Sequence, residues 1–383
     1  MAAPGNAPIS VSLDGLSAKH GASSLQALLT AMLQVSEKVS DLIFSPGRPP
    51  QVEIHGQLIP VQTPKLEVLS ADDTRRIASE LLGNNKQTIA TLREQGSCDI
   101  SFGFPGLARF RVNVFIQRGS CAIVMRVIPT VIPDFAALQL PPQVAEAADL
   151  RPGIVLVTGG PGSGKSSTLA AILDCINARH GCHIITIEDP IEFLHNHKCA
   201  TVHQRELHSD TPSFAHALRA ALRQAPKVIM VGDIRDRETM ETVLDAAETG
   251  HLVLSSLHTA DASKTVERLV GVFSPAEQPM VRGRLARCLR FVICQRLLPR
   301  GDGSGRVPVV EIFKSTSHTR ECLENGEFEG HTLLDAIRTG EADGMQHFDG
   351  EIAKLVRAGV VDTETALSYA TNPAHLQSEL DVH

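Results

Sequence analysis

Tryptophan is missing from this 383-residue chain and tyrosine occurs once. Flat side chains on which unpaired bases stack are therefore scarce, which argues against single-stranded nucleic acid as a partner. A formal net charge of -7 denies the chain the overall positive field that duplex binding draws on, and no nucleic-acid partner is expected. Nowhere does the sequence approach the ~20 consecutive apolar residues that span a bilayer. The opening "MAAPGNAPISVSLDG" also lacks the basic-then-apolar order of a secretory leader, so the chain is expected to stay where it is made. The eight cysteines, at positions 98, 121, 175, 182, 199, 288, 294 and 322, include no C-x-x-C pair. That scatter suits reduced, mostly buried thiols in a cytosolic protein and carries no zinc-ribbon pattern. Internal repeats and low-complexity tracts are absent too.

What remains is an ordinary globular composition, 43% hydrophobic and 21% charged, in a chain too long for one core; two domains are expected. Residues 1–18 are small and polar and present a loose tail. Residues 19–133 mix helical spacing ("LQALLTAMLQVS", "SADDTRRIASELL") with strand runs such as "CDISFGFPGLARFRVNVFIQRGSCAIVMRVIP", the pattern of a small α+β domain. Prolines 129, 133, 141, 142 and 152 mark 134–150 as a connector. From 151 to 383 short apolar runs alternate with amphipathic helices: "GIVLVTG", "HIITIE", "VIMVGD" and "HLVLSSLH" predict the buried strands of a doubly wound, mainly parallel α/β sheet. Beyond about residue 275 the expectation is mainly helical, with "PMVRGRLARCLRFVICQRLL" as its clearest helix.

One motif carries most of the chemistry. "GGPGSGKSS", comprising Gly159, Gly160, Pro161, Gly162, Ser163, Gly164, Lys165, Ser166 and Ser167, fits G-x-x-x-x-G-K-[ST] between a strand and a helix. Glycines let the backbone curl so that N–H groups and a helix N-terminus face phosphates, Lys165 reaches the β/γ oxygens, and Ser166 can hold Mg²⁺. ATP and Mg²⁺ are the expected cofactors. Small-molecule kinases, GTPases and helicases share this loop, but no [NT]KxD base-reading motif stands in a suitable place.

Three later stretches, "IITIEDPIEF", "VIMVGDIRD" and "AAETGHLVLSSLHTADASKTVERL", resemble the Asp box, Walker B and His box of secretion-superfamily ATPases. With "ARFRVNVF" and "GMQHFD" the resemblance narrows to the PilT family of type IV pilus retraction ATPases and covers nearly the whole chain from about residue 20. It implies an N-terminal PAS-like domain, a C-terminal RecA-like domain, a homohexameric ring, and a cytoplasmic place at the inner face of the membrane. The implied partners are the pilus inner-membrane platform protein and a paralogous pilus ATPase. Relatives that extend pili or drive secretion carry a four-cysteine zinc insertion, and its lack here favours the retraction branch.

The resemblance also distributes roles. Lys165 and Ser166 serve the phosphates and Mg²⁺; Glu192, one of three carboxylates in "EDPIE", contributes on the Mg²⁺ and water side. His251 and His258 become His-box residues, with His258 favoured because it ends a strand at its ligand-bearing C-terminus. Alternation in "RFRVNVF" puts Arg109, Arg111 and Asn113 on one sheet face and Phe110, Val112 and Val114 on the other, and the resemblance makes Arg111 and Arg126 candidate arginine fingers.

Three departures qualify it. Asp233 stands where the family has a water-orienting glutamate, and its carboxylate ends ~1.5 Å short on an unchanged backbone; slow hydrolysis is expected. "APK" at 225–227 replaces an acidic "DPD", and the region of the retraction element "AIRNLIRE" reads "STSHTRECLENGE", keeping only Arg320 and a neighbouring acid. A PilU-like auxiliary subunit with weak hydrolysis is thus the alternative to a main motor, and a secretion or conjugation ATPase the third possibility.

Overall fold

The computed structural model describes residues 9–10, 24–62, 67–104, 107–129, 131–150, 152–328 and 330–381. The chain divides between residues 130 and 131 into two compact units. Apart from Ile9–Ser10, the 1–18 tail lies outside the described residues.

In the first unit, β1 (Ile9–Ser10), β2 (Val39–Phe44), β3 (Gln51–Ile54), β4 (Gln57–Gln62), β5 (Ser97–Phe104), β6 (Ala108–Gln117) and β7 (Ser120–Ile128) form one sheet in the order β1-β4-β3-β2-β7-β6-β5. Only β1 runs parallel to its neighbour. Helices α1 (Ser24–Leu33), α2 (Ala71–Leu82) and α3 (Lys86–Gln95) pack on one face. Ser70 and Asp73 close α2 with a reciprocal capping box, which satisfies two otherwise orphaned donors. Alternation in β6 works as expected: Phe110, Val112 and Val114 are fully buried beneath the helices, so Arg109, Arg111 and Asn113 point to the other face.

The second unit is built on β8 (Gly153–Thr158), β9 (His183–Glu188), β10 (Thr201–Glu206), β11 (Val228–Val231), β12 (Leu252–Leu257), β13 (Leu289–Pro299) and β14 (Arg306–Lys314), in the order β10-β9-β11-β12-β8-β13-β14. All neighbours are parallel except the β13–β14 hairpin. Every residue of β8, β11 and β12 is buried, because helices cover both faces and leave no solvated side. Those helices are α4 (Lys165–Arg179), α5 (Phe214–Ala221), α6 (Arg237–Glu248), α7 (Ala262–Gly271) and α8 (Gln278–Cys288), followed by α9 (Ser317–Asn325), α10 (Leu333–Thr339), α11 (Phe348–Arg357), α12 (Thr363–Tyr369) and α13 (Pro373–Asp381). Ser213, Asp236 and Asp261 cap α5, α6 and α7 through backbone N–H groups three residues on.

Two expectations are corrected. The long helix expected over 279–298 stops at Cys288, and "LRFVICQRLLP" is the strand β13. Phe291, Val292 and Ile293 are buried there between β8 and β14, and pairing on both edges overrides the helical spacing. The connector expected over 134–150 belongs to the second unit. Pro142–Asp149 is a 3₁₀ helix, and Leu140, Val144, Ala147 and Ala148 are buried with Ile172 and Ile176 of α4. Strand β10 had no counterpart among the expected strands: "TVHQRE" is polar because it is an edge strand with one neighbour.

Burial of charge in this sheet has a measurable cost. Glu311 on β14 is 3% exposed, accepts the Ala262 N–H at 2.9 Å, and is pushed up to about 7, chiefly by loss of solvent. Between pH 4.5 and 7 the folded chain keeps a proton that the unfolded chain has released, so this group makes stability fall as pH rises through the window. Glu311→Gln keeps the acceptor and cannot ionise. It is expected to match the native protein at pH 5 and to exceed it by up to about 3 kcal/mol at pH 8, read by denaturant unfolding at both values. Equal stability at pH 8 would contradict the assignment.

Candidate active site

The C-terminal ends of β8, β9, β11 and β12 open on a cavity of about 570 Å³, where the strand order places the crevice of an α/β sheet. The loop after β8 needs its glycines. Gly159, Gly162 and Gly164 have φ of 148°, 72° and 91°. A Cβ on Gly159 would overlap the Gln295 carbonyl and Ser163, and one on Gly164 would meet Gln295 Nε2 at 2.8 Å. Gly164 begins α4 without a side-chain cap, so the helix's first N–H groups are left for a ligand. Ser163 Oγ is buried and makes no hydrogen bond among the described residues. Lys165 Nζ donates to the carbonyls of Gly159 and Gly160, both at 2.9 Å. Burial lowers the Lys165 ammonium, and the nearby Asp233 and Glu192 carboxylates oppose that shift. Uncapped helix, buried cation and orphaned hydroxyl together fit a polyphosphate, with Ser166 at the mouth of α4 available to Mg²⁺.

Opposite the loop stand the carboxylates. Asp233 follows β11, is 8% exposed, accepts Arg235 Nε at 2.9 Å and lies 3.6 Å from His258 Nε2. Its backbone is pinned on both sides: the Gly232 N–H donates to Ile187 O, while Ser255 and Ser256 hydroxyls donate to the carbonyls of Val231 and Gly232. Glu188, at the end of β9, accepts Thr186 Oγ1 at 2.6 Å and Gln204 Nε2 at 3.0 Å. Desolvation nonetheless raises it to about 7, which makes it a proton-holding group inside the site at neutral pH. Glu192 is exposed on the cavity wall. His195 lines the same wall and is kept neutral, its imidazole lowered to about 4 by burial.

Of the residues singled out in the sequence, Lys165, Ser166, Glu192, Asp233 and His258 line this one cavity. His251 does not; at the other end of β12 its Nδ1 bonds the Ala246 carbonyl at 2.9 Å. Arg111 and Arg126 are on the first unit, directly opposite one another on β6 and β7. Arg111 is exposed, whereas Arg126 Nε is engaged with Asp41 Oδ1 at 2.9 Å. Unanticipated from sequence are Gln295, whose Oε1 accepts Thr168 Oγ1 at 2.8 Å beneath the loop, Gln204 beside Glu188, and Arg306, whose Nη1 reaches Gly162 O at 3.4 Å. Arg235 had a signal that went unused, a cation two residues after Asp233.

Comparison with known proteins places the chain in a family. The family model described as type II/IV secretion system protein matches residues 49–333. The type IV pilus retraction ATPase PilT of Pseudomonas aeruginosa is 41% identical, covering 90% of this chain and 98% of that one. The type IV pilus ATPase PilU of the same organism is 37% identical, covering 90% and 88%. A crystal structure of the pilus retraction motor PilT with bound ADP superposes with a TM-score of 0.80 at 40% identity, covering 91% of this chain and 98% of that one. With the family model matched over residues 49–333 and PilT relatives matched across nine-tenths of its length, this chain belongs to the type II/IV secretion system protein family, alongside the PilT ATPases.

Proposed function

We propose that the protein is an ATP-hydrolysing motor that works as a homohexamer with Mg²⁺ at the cytoplasmic face of the inner membrane and drives type IV pilus retraction against the pilus platform protein. The convergence of Lys165, Ser166, Glu192, Asp233 and His258 on one cavity carries this reading, and the names of relatives that match nearly end to end support its cargo. Among the described residues no helix is long and apolar enough to cross a membrane, in keeping with attachment through partners. In this scheme Lys165 and the loop hold the β/γ oxygens, Ser166 holds Mg²⁺, Asp233 and Glu192 position water, and His258 reads the phosphate through Asp233. Arg111 is the stronger candidate for the arginine finger, because Arg126 must first leave Asp41.

Asp233 favours a second reading, an auxiliary subunit joined to a paralogous pilus ATPase. Size measurement with and without ATP and Mg²⁺, together with phosphate release, tests both. The motor should run as a hexamer and release phosphate above Lys165→Ala. A monomer in every nucleotide condition would overturn the ring; turnover equal to Lys165→Ala in both the native protein and Asp233→Glu would overturn the motor.

A further inference from the structure

Three side chains that the nucleotide site does not use come together in the C-terminal part of the second unit. His318 and Cys322 are one turn apart on α9, so they share a face, and His331 arrives from the segment before α10. Their potential ligand atoms all lie within 4.8 Å of one another. Cys322 is 2% exposed, packs into the hydrophobic core, and donates a weak Sγ–H hydrogen bond to Thr332 O at 3.9 Å. The two imidazoles are half-buried and meet edge to face with centroids 5.4 Å apart. The segment bearing His331 is shaped, not loose: Phe328 and His331 exchange backbone hydrogen bonds at 3.3 and 2.9 Å, and their rings stack at 4.9 Å.

We propose that His318, Cys322 and His331 form a zinc-binding site. Tetrahedral zinc with Zn–S near 2.3 Å and Zn–N near 2.0 Å sets its ligand atoms roughly 3.3 to 3.6 Å apart. The cluster therefore needs to close by little more than 1 Å, within reach of small side-chain rotations. Two imidazoles and a thiolate select zinc over the oxygen-seeking Mg²⁺ and Ca²⁺, and three protein ligands leave the fourth position to water. Binding deprotonates the Cys322 thiol, the proton passing to solvent, while both histidines bind neutral. A packing role alone would account for the buried cysteine. It does not account for two histidines that converge on the sulfur. The ion would tie α9, in the segment "STSHTRECLENGE", to the start of α10.

The test uses the full chain after chelation, titrated with Co²⁺ and then Zn²⁺. The expected result is one ion per chain, a thiolate-to-cobalt charge-transfer band with tetrahedral visible bands, displacement by Zn²⁺, and a melting temperature raised by roughly 5 °C at saturating zinc. Cys322→Ser should abolish the thiolate band, and His331→Ala should weaken binding at least about tenfold. Cys199→Ser, which removes the exposed thiol, should change nothing. The proposal is overturned if the native chain shows no thiolate band, or if Cys322→Ser keeps it. Should Cys322→Ser fail to fold, His331→Ala decides the question, and unchanged zinc affinity in that variant overturns the site.

Discussion

Asp233→Glu is expected to raise steady-state ATP turnover by about tenfold to a hundredfold: on the proposed reading the family resemblance puts a glutamate at this position, aspartate ends ~1.5 Å short of it, and a misplacement of ~1 Å in a reacting group costs on the order of a hundredfold. Two remedies for a short carboxylate exist, a shifted backbone or a shifted water. The first is closed here. Asp233 leaves a central strand whose last residues are hydrogen-bonded to β9 through Gly232 N–H and to β12 through Ser255 and Ser256. Gly232 also lies against the backbone of Glu188, where even a Cβ would meet Glu188 Cα at 3.4 Å. Advancing Asp233 by more than 1 Å would break those bonds or collide with β9. Arg235 Nε also engages the carboxylate where it stands, at 2.9 Å. Phosphate release by the native protein, Asp233→Glu and Lys165→Ala checks this. Turnover unchanged by glutamate, and well above Lys165→Ala, would show that the shorter side chain already positions water.

Gly159→Ala and Gly160→Ala, one residue apart in the same loop, are expected to behave oppositely. Gly159 has a φ of 148°, and its added Cβ would be driven into the Gln295 carbonyl and to 2.5 Å from Ser163 Oγ. The carbonyl cannot retreat cheaply, since Gln295 is a 3% exposed residue of β13 whose side chain also braces Thr168. A cost of about 2–4 kcal/mol follows, read as a fall of roughly 5–10 °C in melting temperature, with nucleotide affinity weakened at least about tenfold as the loop opens. Gly160 has nothing within 4 Å of its added Cβ, so its stability should stay within about 0.5 kcal/mol of native. Thermal unfolding of the two variants separates a packed loop from a merely glycine-rich one; equal melting temperatures would refute the role of Gln295 as its floor.

Much of the site was legible because phosphate chemistry is local in sequence. Successive N–H groups, a lysine and a hydroxyl must follow one another along the chain, so Gly159 to Ser167 could be recognised as a unit, and the apolar runs of β8, β9, β11 and β12 announced a sheet buried on both faces. Asp233, Asp236 and Arg235 were equally readable as residues, but only the fold separated their work: Asp236 caps α6, while Arg235 restrains Asp233. Where the sequence misled, long-range pairing had overridden local spacing. Residues 289–299 have helical periodicity yet form β13, because β8 and β14 offer hydrogen bonds along both edges. The same pairing brings Gln295 under a loop more than 120 residues earlier in the chain, a contact that no local pattern encodes. His318, Cys322 and His331 are of that second kind: the spacing H-x₃-C-x₈-H matches no ribbon motif, and only the turn between α9 and α10 brings the third ligand to the other two. By itself the sequence determined the phosphate loop, the buried apolar runs of β8, β9, β11 and β12, and the carboxylate that follows β11 at 233, since each depends on residues adjacent along the chain. Tertiary structure alone decided which carboxylates lose their solvent, what holds Asp233 in place and which distant side chains converge, because burial and approach depend on how strands far apart in sequence are brought side by side.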